Sequence, residues 1–229
     1  MINFGKLTYL DLVLAPQVAD SELARYLTQL NTLFKRMAGT SKQADRVVTV
    51  GDLDTVAGVQ WTDYNIGSQS LGVTATAPPD LVAINSTSIY ARAFDGGSTT
   101  EQVFGTIELN HNYAEGTDIY FHVHWFPTTT NAGNVQWKLD YMLAKNGKDL
   151  PAIATVTGVG AASEVAWKME TTELARIDGA LFNIGDQFMF RLYRSPSDAA
   201  DTYAYDAAVA TVGLHVQVNT FGSKQKTIK

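Results

Sequence analysis

Three of the chain's four histidines lie between residues 111 and 124, and two of them are spaced for chemistry. Gly116 is followed by five residues and then by His122-Val123-His124. On a strand, residues two apart project from one face, so His122 and His124 present adjacent imidazoles. Neutral imidazole nitrogen is a ready ligand for a divalent transition ion. The fourth histidine, His215 in Gly213-Leu214-His215-Val216-Gln217-Val218-Asn219, supplies a third donor. His122, His124 and His215 are therefore the candidate metal ligands.

The full pattern is incomplete. Gly116-x5-His122-x-His124 is similar to the opening motif of the cupins, and His215-x3-Asn219 has the spacing of their second motif. No carboxylate follows His124 in Trp125-Phe126-Pro127-Thr128-Thr129-Thr130, and the glycine offset before His215 is wrong. His111 is a substitute ligand, and Glu108 or Glu115 a substitute acid. Against this stands the commoner role of alternating strand histidines, a hydrogen-bonded or interface pair. The sequence thus favours no bound metal, no cofactor and no catalytic residue, with a cupin-like metal enzyme as an alternative. No nucleophile-elbow pattern occurs, and Gly158-Val159-Gly160 lacks the helices of a dinucleotide fold. Glu101, Glu108, Glu115 and Asp118 read as solvated strand edges rather than a glycosidase pair. Asp198, Asp201 and Asp206 read as a capped turn rather than a calcium loop.

The elements that position these residues are strands. Arg46–Val50, Val59–Tyr64, Ser88–Phe94, Gln102–Leu109, Asp118–Phe126, Val135–Ala144, Ile153–Thr157, Val165–Glu170, Gln187–Arg194 and Ala207–Asn219 are rich in Val, Ile, Thr and aromatics. Turn clusters such as Asp95-Gly96-Gly97-Ser98 and Asn131-Ala132-Gly133-Asn134 separate them. A helical turn is expected around Thr172–Ile177. Period-two alternation puts Phe121, Val123 and Trp125 on the core face, and Tyr120, His122 and His124 on the other. The fold expected is mainly β: an antiparallel β-sandwich of jelly-roll type over 46–229. Residues 1–45 read as an N-terminal arm and one amphipathic helix, an anchoring or assembly segment whose stripe packs either on its own domain or on a neighbouring subunit. Leu23, Leu27, Leu30, Phe34 and Met37 lie on its apolar stripe and, with His122 and His124, are the interface candidates.

Composition bounds the partners. The 229 residues carry a net charge of −6, which argues against a nucleic-acid grip that needs a basic face. With no cysteine, thiolate sites and disulfides are excluded. The first residues lack the pattern of a cleaved leader, and no apolar run approaches the roughly 20 residues of a membrane span. Neither a membrane nor a nucleic-acid partner is expected.

Several runs resemble a family of jelly-roll bacteriophage virion structural proteins. They are the residues from Leu109 to Asp118 with His122-Val123-His124-Trp125, then Thr128 to Val135, Arg191-Leu192-Tyr193-Arg194, Asp198 to Tyr203, and His215 to Ser223. The resemblance spans roughly residues 90–225. It implies a non-enzymatic particle component, a capsid decoration or cement protein or another head-associated part. Such a protein is synthesised in the host cytoplasm and resident in the virion. Its partners would be other capsid or tail proteins and copies of itself, with a trimer a common closed arrangement. The alternative is a tail or receptor-binding carbohydrate-recognition module, for which Trp61, Tyr64, Tyr90, Tyr203 and Tyr205 offer stacking surfaces; against it, most strand aromatics belong to the core, and Tyr203 and Tyr205 read as braces of their loop.

Overall fold

A computed structural model describes residues 28–30, 32, 59–97 and 100–219. The chain divides into two compact units, Met1–Gly58 and Val59–Lys229. In the first, residues 28–30 and 32 are helical, and Thr32 Oγ1 donates to the Thr28 carbonyl at 2.9 Å. Leu30, on the expected apolar stripe, is half-buried. Leu23, Leu27, Phe34 and Met37 lie outside the described residues, as do the expected strand Arg46–Val50 and the expected boundary at 45/46.

The second unit is a β-sandwich of jelly-roll type. Its strands are β1 (Gln60–Gly67), β2 (Asp80–Ala83), β3 (Tyr90–Phe94), β4 (Gln102–Glu108), β5 (Tyr120–Pro127), β6 (Asn134–Ala144), β7 (Ala154–Ala161), β8 (Glu170–Glu173), β9 (Gln187–Arg194) and β10 (Ala207–Val218). One sheet runs β2-β3-β10-β5-β8, with β1 also paired to β10; the other runs β4-β9-β6-β7. All pairings are antiparallel. The chain changes sheet between β3 and β4, β4 and β5, β5 and β6, β7 and β8, β8 and β9, and β9 and β10.

Alternation drives the two inner faces together. Phe121, Val123 and Trp125 of β5 meet Trp137 and Leu139 of β6 and Phe188, Phe190 and Leu192 of β9 in one buried cluster. Phe94 and Trp137 cross edge-to-face at 5.2 Å, and Phe121 meets Phe190 at 5.1 Å. Such aromatic pairs add to the burial of their apolar area, which is the main favourable term. The buried Trp125 indole donates to Thr172 Oγ1 at 3.0 Å.

One strand breaks its own period. In β10, Ala207 and Val209 face the core, and so do Val212, Leu214 and Val216. Odd numbers point inward before the shift and even numbers after it. The register against β5 slips between Val209 and Thr211, where one extra residue forms a β-bulge. This bulge turns Thr211, Gly213 and His215 to the outer face.

Arg194 ends β9 on the inner face and is fully buried. Its guanidinium takes Asp201 in a fork, Nε to Oδ2 at 2.9 Å and Nη2 to Oδ1 at 2.8 Å. Nη1 donates to the Phe94 and Tyr205 carbonyls, and Nη2 also donates to the Tyr203 carbonyl. All of its donors are thus matched, the condition under which a buried charge is tolerated. Asp198 pairs instead with Lys138 at 2.9 Å. With both carboxylates engaged, this loop is a braced turn.

Two expectations are corrected. Val165–Glu170 is not a strand: Glu164 and Trp167 have positive φ, which interrupts the extended run, and the strand is Glu170–Glu173. Thr172–Ile177 forms no helical turn, since Thr172 lies in β8 and Ile177 bridges to Ile119.

Arg194→Ala leaves the buried Asp201 carboxylate unpaired and is expected to cost about 3–5 kcal/mol in urea unfolding. A second prediction concerns Glu101, which accepts from the Asp95 amide at 2.7 Å. Burial, then repulsion from Asp95, Asp80 and Asp206, pushes its carboxyl up to about 7. The folded state therefore holds this proton more tightly than the unfolded chain. Its contribution to stability is full below the ordinary carboxylate range and is lost as pH rises through 7. Glu101→Gln is expected to flatten the fall in melting temperature between pH 4.5 and 7.5, compared by calorimetry.

Candidate functional site

The outer face of the six-stranded sheet carries the histidines. In register across it stand Asp63 of β1, His215 of β10 and Tyr120 of β5. The next row is Asn65, Gly213, His122 and Glu173, from β1, β10, β5 and β8. Sequence-distant residues thus converge because β10 pairs with β1 on one side and β5 on the other.

Gly213 organises this row. Having no side chain, it leaves a gap through which His122 reaches across β10 to Asn65, Nε2 to Oδ1 at 3.2 Å. A Cβ at Gly213 would lie 2.8 Å from the Tyr64 carbonyl and 3.0 Å from His122 Cε1, and would also strike Asn65 Oδ1. The His122 ring stacks on His215, centroids 4.0 Å apart, and meets His124 edge-on at 4.8 Å. It is fully buried although it belongs to the outer face. Burial first, then the neighbouring His215 and His124, pulls its pKa down to about 4, so the ring is neutral at neutral pH. Burial likewise lowers His124, whose Nδ1 pairs with Thr171 Oγ1 at 2.9 Å.

His215 stands between two carboxylates, Nε2 3.1 Å from Asp63 Oδ1 and Nδ1 3.0 Å from Glu173 Oε2. Beside it Trp61 is 55% exposed and meets Tyr120 edge-on at 5.8 Å. Trp61, Thr62, Asp63, Tyr120, Glu173 and His215 enclose an open cavity of about 570 Å³. It combines an apolar aromatic wall with carboxylate and imidazole groups held on rigid strands, the make-up of a small-ligand site.

Of the candidate metal ligands, His122 and His215 come together, joined by Asp63, while His124 touches the His122 ring but stands outside that group, its Nδ1 on Thr171. The expected interface pair is revised: His122 is fully buried and has no surface to offer a neighbour, while His124 is half-buried. His111 stands outside this group, on the turn before β5. Glu115 accepts from the Ile184 amide at 2.8 Å, and Asp118 pairs with Arg176 at 2.8 Å. Asp63 and Glu173 escaped sequence reasoning. The signal for Asp63 was the alternation Trp61, Asp63, Asn65 along β1, which only the pairing with β10 makes meaningful.

Of the proposed stacking aromatics, Trp61, Tyr90 and Tyr205 are exposed. Tyr64 is half-buried, its hydroxyl donating to Asn112 Oδ1 at 2.9 Å. Tyr203 is fully buried, and its hydroxyl accepts from the Thr129 amide at 3.0 Å. It braces the loop after β9 and is unavailable for stacking.

A larger groove of about 630 Å³ crosses the outer face of the other sheet, beside Phe104, Met142 and Met189. Its charged groups are spent on one another, Arg191 on Asp140 at 2.5 Å, with Asp140 also accepting from Thr155.

Gly213→Ala is expected to destabilise the fold by about 1–3 kcal/mol, as overpacking does, and to shift the His122 ring resonances in NMR spectra.

The sequence matches no protein-family model and no curated protein. Among solved structures, the chain is similar to a family 35 carbohydrate-binding module from Clostridium thermocellum, with 7% identity over 71% of this chain and 99% of that one, at a TM-score of 0.40. It is also similar to the CBM22-2 xylan-binding domain of Paenibacillus barcinonensis Xyn10C, with 10% identity over 67% and 98% and a TM-score of 0.39. A third is TmCBM61 in complex with β-1,4-galactotriose, with 12% identity over 67% and 86% and a TM-score of 0.32. At these scores the overlaps speak to neither ligand nor activity.

Proposed function

We propose that this chain is a non-catalytic recognition module that binds a saccharide on the outer face of its six-stranded sheet. The observation that carries this reading is the exposed Trp61 indole beside Tyr120, with Asp63, Glu173 and His215 opening into the same cavity. A sugar ring offers an apolar C–H face and a rim of hydroxyls. Trp61 supplies an aromatic surface for the first, and the two carboxylates accept from the second. The stacking surface costs little conformational freedom because Trp61 lies on a strand paired along its length with β10.

The runs similar to virion proteins suggest the setting. There the module belongs to a phage particle as an oligomer, among capsid or tail partners, and presents this face to a surface glycan. The capsid decoration reading rests on those runs alone, whereas the recognition reading also has a built cavity. Light scattering on the intact chain reads the oligomer directly.

Trp61→Ala is expected to weaken glycan-array binding about 5- to 150-fold, taking the sugar face to be worth the ~1–3 kcal/mol of a base stacked on an aromatic side chain, with an unchanged melt. Binding that survives Trp61→Ala at full strength contradicts the site.

A further inference from the structure

We propose that Asp63, His122 and His215 form a binding site for a divalent transition cation of the zinc type. One donor atom from each lies within 4.8 Å of the others. The three come from three adjacent strands, so the backbone fixes their spacing. Two imidazoles and one carboxylate are a donor set suited to zinc, cobalt or nickel, and poorly suited to calcium or magnesium, which take oxygen.

Three further observations point the same way. His122 is fully buried, yet its Nδ1 has no hydrogen-bond partner among the described residues. A buried imidazole nitrogen without a partner is costly in a purely structural pair, and a ligand role accounts for it. His215 already has the arrangement that orients a metal-bound histidine: one ring nitrogen faces the Asp63 carboxylate, and the other is held by Glu173 at 3.0 Å. Asp63, half-exposed, opens onto the cavity that Trp61 and Tyr120 wall. A three-ligand site would keep a coordination position there for a ligand hydroxyl or water.

Zinc bonds of about 2.0–2.1 Å need a set tighter than the 4.8 Å span, so the group must draw in on binding, although His215 and Asp63 already stand 3.1 Å apart. The His122 ring fills the space that Gly213 leaves open, its Nε2 on Asn65 Oδ1 at 3.2 Å.

The inference does not depend on the saccharide reading, because uptake is measured with no sugar present. The full chain, free of any histidine tag and stripped with EDTA, is titrated with zinc chloride and separately with calcium chloride by calorimetry. One equivalent of zinc and no calcium binding is expected. Asp63→Ala and His215→Ala should abolish that binding, and Glu173→Gln should weaken it about 10- to 100-fold without altering the melt. Should a variant fail to fold, cobalt added to the unaltered protein provides the readout. Its paramagnetism must shift the ring resonances of His122 and His215 far more than those of His111. No uptake, uptake undiminished in folded His215→Ala, or cobalt shifts centred on His111 each overturn the proposal.

Discussion

A single added residue in β10 sets the character of the outer face. Before it, Ala207 and Val209 fill the core; after it, Val212, Leu214 and Val216 do. If the pairing with β5 ran without the shift between Val209 and Thr211, the strand's second half would be turned over. His215 would then point between the sheets and Leu214 into solvent. The bulge keeps one apolar face along the whole strand and delivers a histidine to the other. Everything proposed for the site depends on that reversal, since it sets the His215 ring between the Asp63 and Glu173 carboxylates.

Gly213 completes what the bulge begins. It lies between Asn65 and His122 in the sheet and lets an imidazole lie flat where a side chain would otherwise stand. The consequence is a neutral, buried ring on a face that alternation assigns to solvent. Sheets seldom bury a polar side chain on an outer face without a complete set of partners, and among the described residues His122 Nδ1 has none. The same face grades outward from this buried ring to the half-exposed carboxylates and the exposed Trp61. The proposed recognition rests on this polar recess and its aromatic wall. The opposite sheet offers a larger groove whose ion pairs are already closed, and it lacks this gradient.

Much of this architecture was legible in the residues. The alternation in Tyr120-Phe121-His122-Val123-His124-Trp125 assigned both faces of β5, and Val135 to Leu143 did the same for β6. Strand interiors announce themselves because period-two burial leaves a direct trace in sequence. Register across strands leaves none. His215 could be named as a third ligand, but Asp63 lies far from it in sequence and gave no sign of its place. The bulge was equally hidden, because Ala207 to Val218 is rich in Val and Ala on both sides and reads as one continuous strand. Tyr203 stayed open between stacking and bracing for a related reason: it sits in a loop without periodicity, and the contacts with Arg194 and Thr129 show it to be a brace. The resemblance to virion proteins drew on residue runs that include much of the sandwich's framework, among them Arg194 and Asp201, whose role here is structural.

The face proposed for recognition is the outer face of the six-stranded sheet. The most direct test is NMR mapping of backbone and side-chain shifts while a glycan identified on an array is titrated into the full chain. The account predicts changes centred on the Trp61 indole, Asp63, Tyr120, Glu173 and His215. Changes centred on Phe104, Met142 and Met189, across the sandwich, would contradict it.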